Sequence, residues 1–167
     1  MIILTLGTAS FQFDRAISWL SILLENGIIS EPVFVQYGVS DISPLLKHPL
    51  VTAQSVLEPE PLLELIDAAQ LVISHAGQGS TRMLAARGAS FVLLPRLKSY
   101  AEHVDDHQLW FAQAIEEFGV QYCSSLKQLE QAILQPPPRF PKQLFCEPKL
   151  ANHLLTVHPA ETLMIST

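Results

Sequence analysis

Short β-rich runs alternate with longer segments of helical periodicity from the first residues to about position 134, and few folds accept that order. A parallel sheet with crossover helices on both faces is the one it favours. The first run, Ile2 to Leu6, stops at Gly7-Thr8. A helix is expected from about Asp14, read as its N-cap, to Glu25, with Ile17, Leu20, Leu23 and Leu24 on one buried face. A second strand, Val33 to Tyr37, ends at Gly38, and a weaker extended segment, Leu50 to Val56, follows a loop rich in Ser, Asp and Pro. After a short helix from about Glu60 to Ala69 comes Leu71-Val72-Ile73-Ser74, apolar on both faces as a central strand must be. It delivers His75-Ala76-Gly77-Gln78-Gly79-Ser80 to the carboxyl edge of the sheet.

The pattern continues with a helix from about Ser80 to Arg87 closed by Gly88, and a strand from Phe91 to Leu94 ahead of Pro95. A loop, Arg96 to Glu102, leads to a long helix from about Val104 to Phe118, closed by Gly119. A last strand, Val120 to Cys123, and a helix, Leu126 to Leu134, complete the regular part. Pro136-Pro137-Pro138 continues no helix. The reading is therefore one α/β Rossmann-like domain over 1–135, and a proline-initiated tail over 136–167 without an assigned structure.

Composition agrees with one domain, because 167 residues, 49% of them hydrophobic and 16% charged, supply one sizeable core. The net charge of -6, with ten scattered Lys and Arg, argues against nucleic acid as a partner. Neither a basic leader with a cleavage site nor an apolar stretch of about 20 residues is found, so a cytoplasmic location is expected, with membrane contact only through a partner. Cys123 and Cys146 lack the spacing of a disulfide framework or a zinc site and read as small apolar residues.

Ligands of open parallel sheets bind outside the carboxyl ends of the strands, which directs attention to three loops. The turn His75 to Thr81 joins a buried strand to a helix through two glycines and two hydroxyls. Free N–H groups at such a helix start suit a diphosphate, although the same sequence also describes an ordinary tight turn. It is neither a full GxGxxG nor a Walker A loop, since Arg82 takes the third glycine position and no Gly-Lys-Ser/Thr follows.

The second segment, His103-Val104-Asp105-Asp106-His107-Gln108, has three readings. Two histidines four apart, with intervening carboxylates, could share a helix face as a metal site, but no third, separated ligand is evident and no metal is expected. Asp105 and Asp106 also complement a helix dipole at a solvated N-terminus. Alternatively, His107 and Gln108 present donors and acceptors suited to sugar hydroxyls. Serine hydrolase chemistry is disfavoured, because there is no GxSxG elbow and Ser74 and His75 leave a strand in opposite directions. His48, His153 and His158 read as surface residues.

These motifs together resemble a family. Leu4-Thr5-Leu6-Gly7-Thr8, the run from Val72 to Ser80, Leu94-Pro95-Arg96-Leu97-Lys98 and the stretch from Glu102 to Gln108 are similar, in order and spacing, to the C-terminal, donor-binding domain of family 28 glycosyltransferases. The chain most resembles stand-alone versions: the small subunit of bacterial two-component exopolysaccharide glycosyltransferases, and the small catalytic subunit of the dolichol-linked UDP-N-acetylglucosamine transferase. The resemblance implies one half of a GT-B fold, with the active site in the cleft between two halves. It implies that Gly77, Gly79 and Ser80 hold the diphosphate of a UDP-sugar, that His75 and Ala76 lie beside the uracil, and that His107 and Gln108 meet the sugar. Gly7 and Thr8 would border the cleft, while Arg96 and His103 would frame the sugar or the leaving group.

An inverting transfer needs no cofactor on this scheme, since free N–H groups and a helix dipole stabilise the departing UDP. The catalytic general base resembles a contribution from the other half, supplied here by a membrane-associated, acceptor-binding partner that presents a lipid-linked glycan. A half-enzyme of this kind is expected to self-associate when alone. One residue departs from the pattern: Met83 stands where relatives carry an Asp or Glu for the ribose hydroxyls. Losing such a bond costs about 1.5–3 kcal/mol of donor binding. A noncatalytic docking or stabilising partner with a degenerate nucleotide pocket is the rival reading.

Overall fold

The computed structural model describes residues 1–141. In chain order the elements are β1 (Ile2–Thr5), α1 (Asp14–Glu25), β2 (Val33–Gln36), β3 (Val51–Gln54), α2 (Pro59–Ala68), β4 (Leu71–His75), α3 (Gln78–Ala86), β5 (Phe91–Leu94), α4 (His107–Glu116), β6 (Gln121–Tyr122) and α5 (Leu126–Leu134). All six strands are parallel and lie in the order β3-β2-β1-β4-β5-β6. The chain therefore starts at the centre, winds outward to β3, crosses back beside β1 and winds outward again. Between β1 and β4 the winding direction reverses, and a crevice opens at their carboxyl ends.

Period-two alternation sorts the strand residues into two cores. Ile2, Leu4, Val33, Val35, Leu71, Ile73, Val92 and Leu94 face α1 and α5, meeting Ile17, Leu20, Leu23, Leu129 and Ile133. On the other face Ile3, Phe34, Val72, Phe91 and Leu93 meet Ile66 of α2, Leu84 of α3, and Ala112 and Ile115 of α4. Each fully buried Leu or Ile contributes about 1.5–3 kcal/mol, so strands apolar on both faces lock the register. At the carboxyl end that register aligns Thr5 with Gln36 on one side and Ser74 on the other, a buried polar row beneath the crevice.

One helix cap and two helix starts differ from expectation, each for a local reason. Phe13, not Asp14, is the N-cap of α1 and makes no side-chain cap; the Asp14 carboxylate instead accepts from the Asp41 amide at 3.0 Å. Helix α3 begins at Gln78 rather than Ser80, because Gly77 has ordinary extended angles and the chain enters the helix directly. Helix α4 begins at His107 rather than Val104. There the Asp105 carboxylate accepts from the His107 amide at 3.1 Å and Asp106 from the Lys98 amide at 2.8 Å, which holds the backbone out of the helix.

After α5 the proline run turns back onto the sheet. Ser90 Oγ donates to the Pro137 carbonyl at 2.6 Å, the Phe140 amide donates to the Ala89 carbonyl at 2.9 Å, and the Phe140 ring packs on Phe91. The rest of the tail, with Cys146, His153 and His158, lies outside the described residues. Cys123 is buried in the first core, and burial pushes its thiol up to about 12. Among the described residues no helix is long and apolar enough to cross a membrane.

Candidate functional site

The crevice at the β1–β4 seam is a cleft of about 190 Å³ lined by Thr5, Gly7, Thr8, Gln36, Val56, Leu57, Leu62, His75 and Ser80. Four residues singled out from the sequence, Gly7, Thr8, His75 and Ser80, thus share one cavity. Gln36 is the residue that sequence reasoning missed. Its Oε1 accepts from Thr5 Oγ1 at 2.8 Å and the Gly7 amide at 3.1 Å, and its Nε2 donates to the carbonyls of Gly7 and Ser55, both at 2.9 Å. The only hint was a polar side chain ending the apolar strand Val33-Phe34-Val35.

His75 ends β4, and its imidazole lies between two glycines. A β-carbon on Gly7 would sit 2.6 Å from the ring and one on Gly77 2.5 Å from it, so neither position tolerates a side chain while the ring stays put. Gly7 also has φ of 72°, which L-residues rarely adopt. Burial pushes the imidazole down to about 4, and the Arg96 charge adds to the effect, so the ring is neutral at physiological pH. Its Nδ1 is buried without a hydrogen-bond partner among the described residues.

Helix α3 opens with Gln78, Gly79 and Ser80, and its N-cap, Gly77, has no side chain to offer their amides. Gln78 and Gly79 are exposed, and a β-carbon on Gly79 would meet nothing within 4 Å. Open space and first-turn amides therefore coincide at Gly79, the arrangement that receives an anion. Thr81 turns away, its hydroxyl donating to the Gly77 carbonyl at 2.9 Å. Ala76 is only 1% exposed and its methyl packs in the second core.

Arg96 is enclosed in the same way. At 1% exposure its guanidinium is enclosed, donating to the carbonyls of Leu6, Phe11, Gln12 and Glu102 over 2.8–3.3 Å, with its face 4.7 Å from the centre of the Phe13 ring. It ties the β1–α1 loop to the end of β5 and supports the cleft from behind. Glu102 completes the tie by pairing with Arg15 and accepting from the Leu97 amide. Gln108 is buried in the first turn of α4, its Oε1 accepting from the Arg96 amide at 3.2 Å. His103 stacks on Phe11 of the same loop, with ring centres 5.5 Å apart, and His107 meets His103 edge-on at 4.4 Å. The two groups of expected residues are thus joined through the β1–α1 loop, although only the first lines the cleft.

The model of the glycosyltransferase family 28 C-terminal domain matches residues 1–142. This chain belongs to that family. No curated protein matches it. The family 28 domain is similar to the solution structure of ALG13, at 18% identity and a TM-score of 0.57, covering 84% of this chain and 88% of that one. It is similar to the glycosyltransferase SnogD from Streptomyces nogalater, at 18% identity and a TM-score of 0.56, over 80% of this chain and 34% of SnogD. Against MurG of Acinetobacter baumannii the values are 22% identity and 0.53, over 77% of this chain and 39% of MurG. At these identities the likeness shows the fold: the family 28 domain is one Rossmann-like half of a GT-B architecture, spanning little more than a third of SnogD or MurG.

Proposed function

We propose that the chain is the UDP-sugar-binding subunit of a two-component inverting glycosyltransferase, acting with a separate acceptor-binding partner on a lipid-linked glycan. The observation that carries the reading is the start of α3, where uncapped amides face open space at Gly79 beside the switch-point cleft. A pyrophosphate at that helix end gains both hydrogen bonds and the helix dipole, and the gain grows as UDP departs with its charge. Gly77, Gly79 and Ser80 hold the diphosphate in this scheme, with Gly7, Thr8 and neutral His75 forming the floor. His103, His107 and Gln108 make the sugar edge, and the general base comes from the partner.

Two further observations support a partner. Val39, Val56, Tyr100 and Val104 are each more than half exposed, and all stand on loops that follow strands, so they rim the face where a second half would close. The match over 88% of ALG13, against about a third of SnogD, also fits a half that works as a subunit. Recruitment to a membrane and a polysaccharide product belong to the partner's side of the proposal.

The rival reading, a noncatalytic docking partner, is favoured by Met83, whose side chain packs against the second core and supplies no carboxylate for a ribose. Calorimetric titration of UDP into the purified chain separates the two. Gly79→Asp adds a negative charge without a clash. It stabilises the helix start by about 0.3–1 kcal/mol and weakens UDP by about 1–3 kcal/mol, roughly five- to 150-fold. Absence of UDP binding, or equal affinity in Gly79→Asp, sinks the donor-binding reading and leaves the docking one.

A further inference from the structure

The loop ahead of α4 holds a cluster that donor binding explains only in part: His103 and His107 stand at the proposed sugar edge, and Asp105 beside them has no role in it. One donor atom each from His103, Asp105 and His107 lies within 4.8 Å of the others. Asp105 Oδ1 is 3.3 Å from His103 Nδ1 and 2.5 Å from His107 Nδ1. The 3.3 Å contact fails hydrogen-bond geometry, so among the described residues the buried His103 Nδ1 has Asp105 as an ion-pair neighbour but no hydrogen-bond partner, an orphan that calls for an explanation. Phe11 packs against one side of its ring, and His107 stands edge-on to it.

Two ligands of a tetrahedral zinc-type ion stand about 3.3 Å apart when each bond is about 2.0–2.2 Å. His103 and Asp105 already have that separation. His107 needs only to exchange its direct bond with Asp105 for a bond to the ion, widening the gap by less than about 1 Å. Both side chains are nearly half exposed, 46% and 48%, and are free to make that adjustment. Two imidazole nitrogens and one carboxylate oxygen form a donor set for zinc, cobalt or nickel rather than magnesium or calcium.

We propose that His103, Asp105 and His107 bind one divalent transition-metal ion of the zinc type. The ion closes the loop between β5 and α4, because the residues around the cluster are already tied to that strand's exit: Asp106 accepts from the Lys98 amide and Gln108 from the Arg96 amide. Three protein ligands leave a fourth position open to water or a ligand oxygen. The proposal shares His103 and His107 with the proposed sugar edge but rests on the geometry of the cluster, so it survives even if the chain holds no nucleotide.

Cobalt titration of the full chain, followed by the visible bands of tetrahedral cobalt with zinc displacing it, is the test. One equivalent is expected to bind, weakened at least about tenfold in each of His103→Ala, Asp105→Asn and His107→Ala. His48→Ala and the double variant His153→Ala/His158→Ala keep full affinity. Asp105 and His107 have exposed side chains, so those variants read the site even if His103→Ala folds poorly. The proposal is overturned by no tetrahedral signal at one equivalent, by unchanged affinity in Asp105→Asn and His107→Ala, or by loss of binding in the tail double variant.

Discussion

Gly77→Ala tests the packing at the heart of the cleft. Gly77 has φ of -77° and ψ of 130°, angles any residue adopts, so the substitution adds no backbone strain and only one methyl group. That methyl would stand 2.5 Å from His75 Nε2. An unstrained contact needs about 3.5 Å, so the ring has to move by about 1 Å. Gly7 lies against the same imidazole, since a β-carbon there would also meet it, and retreat in that direction is limited. Overpacking of this degree costs about 1–3 kcal/mol. The cost belongs to the pair and not to Gly77 alone, which a double-mutant cycle with His75→Ala isolates. Urea denaturation at constant m value should show Gly77→Ala destabilising wild type by that amount and changing the His75→Ala background by less than about 0.5 kcal/mol. Equal destabilisation in both backgrounds refutes the argument.

His75 also sets a pH dependence: its folded value near 4 lies below the ordinary 6.5, so the unfolded chain takes the proton first. Stability is full above pH 6.5 and falls as pH drops toward 4, by on the order of 3 kcal/mol in total. His75→Gln flattens that slope, and parallel slopes in denaturation series of the two proteins count against the assignment. Arg96→Lys cannot reach the carbonyls of Leu6, Phe11, Gln12 and Glu102 together and loses about 2–4 kcal/mol in urea denaturation; a loss under about 0.5 kcal/mol contradicts its role as a tie. Gln36→Leu, near in size but without polar atoms, is expected to lower stability by about 1–3 kcal/mol through the amide and carbonyl of Gly7. Denaturation midpoints check it, and a neutral result removes Gln36 from the cleft's support.

Strands buried on both faces were the most legible part of the fold. Ile2 to Leu6, Leu71 to Ser74 and Phe91 to Leu94 each became a strand within a residue of the expected ends, because burial on both faces leaves one long apolar signature. Helices α1 and α5 matched their expected limits for a related reason, an apolar stripe against one core. What escaped was chemistry between residues distant in the chain or in competition with the helix. Asp105 and Asp106 looked like residues of a helix start, and their side chains instead bond backbone amides and delay α4. Arg96 looked like an arginine beside a ligand, and only the folded chain reveals four carbonyls around it. Ala76 sits in a turn rich in functional residue types, yet its methyl is core. The two glycines flanking His75 were legible as glycines, but the imidazole that demands them was not.

The pairing of β1 with β4 has a consequence for how the protein comes to life. Ile2 aligns with Leu71 and Thr5 with Ser74, so the two walls of the crevice come from opposite ends of the first half of the chain. A ribosome must release all of β2, β3 and the intervening helices before the walls can meet, and such long-range pairing is slow to assemble. The lining of the pocket runs from Thr5 to Ser80. A molecule that settles in the seam therefore steadies the entire domain at once, and loss of any central strand dissolves the pocket along with the fold.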